Sequence, residues 1–204
     1  MKRTRWMTGP ALATAAALAL AACSASAADP TPAPEEQVSD QPEPEAADHN
    51  VADAEFAQMM IIHHEGAIEM AELIIEKAST EEVRALGERI AAAQGPEIEL
   101  MSGWLDQWGE AQPDEVDMGG MGHEGMEMDG MDQDTVMAEL SGLTGIEVDR
   151  RFLELMIEHH QGAIEMAETL RTEGLSPDAT ELAGKIIDDQ MAEITEMTNL
   201  LRTL

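Results

Sequence analysis

The sequence predicts an all-α protein: a ferritin-like four-helix bundle built from two repeated helical hairpins joined by a long Met-rich crossover loop. Three observations lead there. Residues 56–72 recur as residues 152–168, with twelve of 17 aligned positions identical at an offset of 96. Within each copy the apolar side chains follow a 4-3-4-3 spacing, the mark of a helix with one buried stripe. The chain of 204 residues holds three Trp, two Phe and no Tyr, a poor supply for a sheet, which draws on aromatic and β-branched side chains. The same offset pairs Ile90 with Ile186, Gln94 with Gln190, Ile98 with Ile194, Met101 with Met197 and Leu105 with Leu201. The duplicated unit is therefore a whole hairpin. One hairpin cannot bury its own apolar face, whereas two can close a bundle.

The elements follow in order. Residues 1–22 read as an export signal: Lys2, Arg3 and Arg5 precede the apolar run Ala11–Ala22, which is too short for a bilayer span of about 20 residues. The run ends in Leu20-Ala21-Ala22-Cys23, which is similar to the lipobox of bacterial lipoproteins. It implies cleavage before Cys23 and lipidation of that residue, anchoring the protein outside the cytoplasmic membrane. The alternative is an ordinary secretory peptide cut near Ala27 or Ala28, and both readings export the protein. Residues 23–48 then form a tether. Ser24–Asp48 has five Pro, seven acidic residues and no hydrophobic period, so it is expected to be disordered and self-repelling.

The bundle domain is placed at residues 49–204, with repeats at about 51–110 and 146–203 and the loop at about 113–134. The first helix runs from Val51 to about Lys77. A second, N-capped by Ser79 or Thr80 with Glu81 or Glu82 in its first turn, reaches about Trp108. Gly95-Pro96 is expected to kink it. Thr135–Leu140 is expected to add one short helix. Helical patterning resumes at Ile146 and ends near Arg171. Ser176 then caps a last helix, with Pro177 at its first position, that runs to about Arg202.

Charge and cysteine content narrow the chemistry. There are 42 acidic residues against 11 basic ones, which excludes a nucleic-acid partner, since phosphate recognition needs clustered basic charge. Loss of the signal would leave 8 basic residues and a net charge of −34. Cys23 is the only cysteine, so a disulfide within the chain, a cysteine nucleophile and a zinc–thiolate site are all excluded. Any soft metal ligand must be a thioether. Sixteen Met is far more than packing requires.

The repeated helix puts Phe56, Met60, His63, Ala67, Met70 and Ile74 on one stripe, and Phe152, Met156, His159, Ala163, Met166 and Leu170 on its twin. A neighbouring stripe carries Ile61, His64, Ile68, Ala71 and Ile75. Each His-His pair therefore straddles the core face. Met60 lies one turn from His63 and His64, and Met156 stands likewise to His159 and His160. Gly66 and Ala67, with Gly162 and Ala163, are small enough to let a partner helix close in. A lone core histidine is usually hydrogen-bonded to Glu or Gln on a facing helix. Four at matched positions, each with a Met one turn away, point instead to metal. Thioether plus imidazole suits Cu(I), tolerates Cu(II) and would hold Ag(I), whereas Mg and Ca want oxygen. Neutral imidazole is the ligating form, so binding should weaken below about pH 6. Met59 is a weaker candidate because its counterpart is Leu155.

The loop carries Met118, Met121, Met126, Met128 and Met131, with His123, among Gly and acidic residues. Met buries little in a solvated loop, so these side chains are expected to be further soft-metal ligands, on a segment disordered without metal. Enzymatic readings fare worse. Three residues before each of the six His stand Ala46, Met60, Ile61, Gly120, Met156 and Ile157. The Glu-x-x-His of carboxylate-bridged di-iron bundles is therefore missing, and so are the common hydrolase and phosphate-loop motifs.

With Met60-Ile-Ile-His-His-Glu-Gly-Ala-Ile-Glu-Met-Ala71 and Met156-Ile-Glu-His-His-Gln-Gly-Ala-Ile-Glu-Met-Ala167, the chain resembles the family catalogued as domain of unknown function 305, over about residues 49–204. Its CopM-like members are exported copper-binding proteins with a ferritin-like four-helix bundle. The resemblance implies copper held by Met60, His63, His64, Met156, His159 and His160. The expectation is an exported, lipid-anchored, non-enzymatic protein that binds copper, Cu(I) before Cu(II) or Ag(I), without an organic cofactor. It would sequester the metal or pass it to a copper-handling protein. The competing readings are an acidic interaction module whose core histidines are structural, and a metal-dependent oxidoreductase.

Overall fold

The structure, a computed structural model, describes residues 48–115, 128 and 131–204. The signal, Cys23, nearly all of the tether and the loop residues Met118, Met121, His123 and Met126 lie outside the described residues. Among the described residues the regular structure is five α-helices and one short 3-10 turn, Pro113–Glu115: α1 Val51–Lys77, α2 Glu81–Trp108, α3 Gln133–Gly142, α4 Ile146–Glu173 and α5 Pro177–Thr203. Among the described residues no helix is long and apolar enough to cross a membrane.

The caps explain most helix boundaries. Asn50 and Asp53 form a reciprocal capping box at the start of α1, and Ser176 accepts from the Ala179 N–H ahead of Pro177, each covering amides that a helix start leaves bare. Asp132 does the same for α3 through Thr135, which sets the short helix two residues earlier than its sequence suggests. Thr80 stands at the N-cap of α2 but makes no side-chain cap bond. Its hydroxyl donates instead to Asp149. α2 also runs unbroken through Pro96. Both Pro96 and Ala92, whose carbonyl loses its partner there, are exposed, so water can satisfy that group.

The two hairpins interlock through a pair of buried acids at equivalent positions. Asp149 of α4 accepts from the N–H and hydroxyl of Ser79 and of Thr80, at 2.8–2.9 Å, in the α1–α2 turn. Asp53 of α1 accepts from the Leu175 and Ser176 amides, at 2.9 and 3.1 Å, in the α4–α5 turn. Each hairpin thus clamps the turn of the other. Gly174 is required beside Asp53, since a Cβ there would come within 2.7 Å of the carboxylate.

These clamps orient the bundle. The N-terminal end of α1 meets the C-terminal end of α4, so the two run antiparallel, and each is antiparallel to its hairpin partner. α2 ends at the Asp53 end of the bundle and α4 begins at the Asp149 end, so the crossover must travel the bundle's length. Its last part, α3, lies along the second half of α1. There Gln133 bonds Gly66 and Glu69, and Lys77 donates to the carbonyls of Leu140 and Ser141.

The core is double. One cluster gathers Met70, Ile74, Leu86, Ile90, Phe152, Leu153 and Met156, roofed by Met128, Val136 and Leu140. The other gathers Phe56, Met60, Ile61, Met101, Leu105, Leu170, Leu182 and Ile186. The duplication maps much of one onto the other. Each fully buried Leu, Ile, Met or Phe contributes about 1.5–3 kcal/mol. Met128 is 1% exposed within this packing. The loop's composition argues against a packing role, yet that is the role Met128 fills, because its backbone pairs with Met131 through two reciprocal hydrogen bonds of 3.1 and 2.9 Å and turns its side chain inward. Met131 packs against the same cluster.

Candidate metal centre

A polar layer separates the two apolar clusters. Along α1, His63 and His64 follow Met60 and Ile61 of one cluster and precede Ala67 of the other. Along α4, His159 and His160 stand between Met156 and Ala163 in the reverse sense. Gln94 of α2 and Gln190 of α5 complete the layer at equivalent positions. All six are buried, none more than 4% exposed. The helical period does the placing, since it aims both histidine-bearing stripes of α1 and α4 at the bundle axis.

The layer centres on the contact between hairpins. The rings of His63 of α1 and His159 of α4 lie 3.6 Å apart, inclined by 43°. His64 and His160 point their Nε2 atoms at carboxylates on the second helix of their own hairpin. His64 bonds Glu97 at 2.9 Å and His160 bonds Glu193 at 2.6 Å, another pair at offset 96. A proton held on Nε2 by a carboxylate leaves Nδ1 with the lone pair, which is how proteins prepare an imidazole to ligate metal. The Nδ1 atoms of His64, His159 and His160 and the Oε1 atoms of Gln94 and Gln190 are buried with no hydrogen-bond partner. A polar atom left so costs about 1–3 kcal/mol, and five of them in one layer call for an ion or water to satisfy them.

Burial also sets the charge state. Desolvation, followed by the neighbouring imidazoles of His63, His160 and His64, holds the His159 pKa well below its usual value, so the ring is neutral at pH 7. Burial works against the Glu97 carboxylate, but hydrogen bonds from His64 and Lys185 outweigh it and keep its pKa low.

Met60 and Met156, both 0% exposed, flank the layer from opposite clusters. Of the sulfurs two turns beyond the histidines, Met70 is packed in one core, while Met166 shares a groove of about 440 Å³ with Met59 and Phe56. His49 is not part of the layer; it stacks on Trp108 with ring centroids 4.6 Å apart. Among the described residues no three His, Cys, Asp or Glu side chains are placed to hold an ion together. The layer thus brings together His63, His64, His159 and His160 with Met60 and Met156 at its edges, and leaves Met59, Met128 and Met131 elsewhere. Glu97 and Glu193 were the partners sequence reading did not single out, although the offset of 96 relates them as it does the histidines.

Comparison with known proteins follows the same lines. No curated protein matches the chain. Solved structures do. A DUF305 fragment from Deinococcus radiodurans has a TM-score of 0.66 at 29% identity, covering 76% of this chain and 98% of that one. A DUF305 protein from Streptomyces coelicolor has a TM-score of 0.66 at 35% identity, covering 78% and 94%. CopM in its Cu(II)-bound form has a TM-score of 0.62 at 36% identity, covering 74% and 96%. CopM also matches in its Cu(I)-bound and Ag-bound forms, each at 32% identity. The model of the family described as domain of unknown function DUF305 matches residues 53–201, which span both hairpins and the layer between them, and the chain belongs to that family.

Proposed function

We propose that this chain is an exported lipoprotein, anchored through Cys23, that binds copper in the buried imidazole layer and sequesters it or passes it to a copper-handling protein. The observation that carries the reading is the set of buried imidazoles, three with an unpartnered Nδ1, flanked by two thioethers. Nitrogen with sulfur favours Cu(I), with Cu(II) and Ag(I) accepted. CopM, 36% identical to this chain in its Cu(II)-bound form and also solved in Cu(I)- and Ag-bound forms, supports the same choice. Met60, His63, His64, Met156, His159 and His160 are the ligand set. The protein works by binding and not by turnover, and needs no organic cofactor. Export and anchoring rest on the charged start, the short apolar run and the Leu20-Ala21-Ala22-Cys23 sequence.

Titrating the purified domain with Cu(I) against a competing chelator tests the site. Alanine at Met60, His63 and His159 should weaken binding strongly; an unchanged affinity would defeat the assignment. Radiolabelled fatty acid should label the exported protein and fail to label its Cys23→Ser variant. One observation favours a second reading, in which the histidines are structural within an acidic interaction module: His64 and His160 do hydrogen-bond Glu97 and Glu193. That reading requires elemental analysis of protein from copper-fed cells to find no retained metal.

A further inference from the structure

The buried layer reaches the surface beside α3. Where α3 begins, a pocket of about 360 Å³ opens against the middle of α1, with His63 and His159 among its walls and Glu65, Glu69 and Gln133 at its outer part. Glu65 and Glu69 are exposed and one turn apart, so their carboxylates stand on one face. Inside, His159 is 3% exposed, and its Nδ1 has no hydrogen-bond partner. The pocket therefore runs from paired negative charge to a neutral imidazole within one opening.

Gln133 crosses that opening. Its amide nitrogen donates to the Gly66 carbonyl and to the Glu69 carboxylate, both at 3.0 Å. The amide lies so close to α1 that a Cβ at Gly66 would stand 3.1 Å from its oxygen. Behind it, α3 is fixed by its Asp132 cap and by Lys77 at its far end. Two hydrogen bonds on one flexible side chain can open without moving the helix. The other copy lacks the acid pair, since Gln161 replaces Glu65 at the equivalent position.

We propose that this pocket is the port through which a soft monovalent cation enters and leaves the imidazole layer. Glu65 and Glu69 form an outer carboxylate station where the ion first docks, and Gln133 is the latch. The ion sheds water as it passes from carboxylate oxygen to imidazole nitrogen, and the Gln133 amide swings back onto Gly66 and Glu69 behind it. This rests on the metal-binding reading above.

Stopped-flow measurement with Ag(I), which is redox-silent, on the full chain tests it in both directions: loading on mixing, and release into excess chelator. Gln133→Ala is expected to speed loading and release by a similar factor of several-fold. Gly66→Ala, which crowds the same amide, is expected to act in the same direction. The Glu65→Gln/Glu69→Gln double variant is expected to slow loading about fivefold at low salt and to flatten its salt dependence, because steering by fixed charge is screened. Wild-type rates in the Gln133, Gly66 and double-acid variants, with Ag(I) still bound, would overturn the port and leave the metal site standing. Absence of Ag(I) binding to the native chain would overturn both.

Discussion

The two ends of the bundle are built from the same repeated residues and finished differently. At the Asp149 end the α1–α4 groove is roofed by Met128, Val136 and Leu140 of the crossover. At the Asp53 end the corresponding groove, with Phe56, Met59 and Met166, stays open over about 440 Å³. The carboxylates differ too: Glu97 is shared between His64 and Lys185, whereas Glu193, among the described residues, pairs with His160 alone. What both copies keep is the layer and its clamps: Met, His-His, Gln, Glu and the buried Asp. What they vary is everything that only covers it. The duplicated chemistry is therefore central, and the asymmetry is confined to its surroundings.

The strongest way to break this symmetry is at the clamps. Asp149→Ala strands four donors and is expected to cost about 3 kcal/mol, more than Asp53→Ala, in urea denaturation. Equal costs would mean that the turns tolerate loss of either clamp alike. Next come the roofed and open grooves. Met128→Ala is expected to cost about 2–3 kcal/mol as a core truncation, and Met59→Ala less than half of that.

Acid sharpens the comparison between layer and clusters. The His159 pKa is depressed in the folded state, so as pH falls below about 6.5 the unfolded chain takes up a proton that the folded chain refuses. Stability should therefore fall from pH 6.5 downward, at no more than about 1.4 kcal/mol per pH unit for one proton. His159→Gln should reduce that slope, measured as the urea midpoint at pH 7.5 and pH 5. The smallest effects distinguish the two carboxylates. Glu193→Gln is expected to weaken Cu(I) binding about tenfold. Glu97→Gln should do less, because its carboxylate is already drawn toward Lys185. Equal losses would erase the inequivalence.

Much of this was legible in the sequence, for reasons that also mark the limit. The 4-3 stripe through Phe56, Met60 and His63 fixes which face of α1 is buried, and the repeat carries the inference to α4. The hairpins and the imidazole layer follow. Asp53 and Asp149 look like ordinary first-turn helix acids, because a contact to another hairpin's turn leaves no trace in local spacing. Glu97 and Glu193 were hidden among 42 acidic residues, although each stands three positions after a buried Gln of the repeat. The burial of Met128 was illegible because two residues of reciprocal pairing, and not a helical period, turn it inward.

The touching rings of His63 and His159 come from opposite halves of the chain. Neither half alone owns a complete layer, so a fragment ending after α2 could rebuild it only by pairing with a second copy of itself, through a self-complementary face. On the metal-binding reading proposed above, an ion held in that layer would cross-link such fragments and, in the intact protein, would stitch the seam, tying cargo loading to a finished fold.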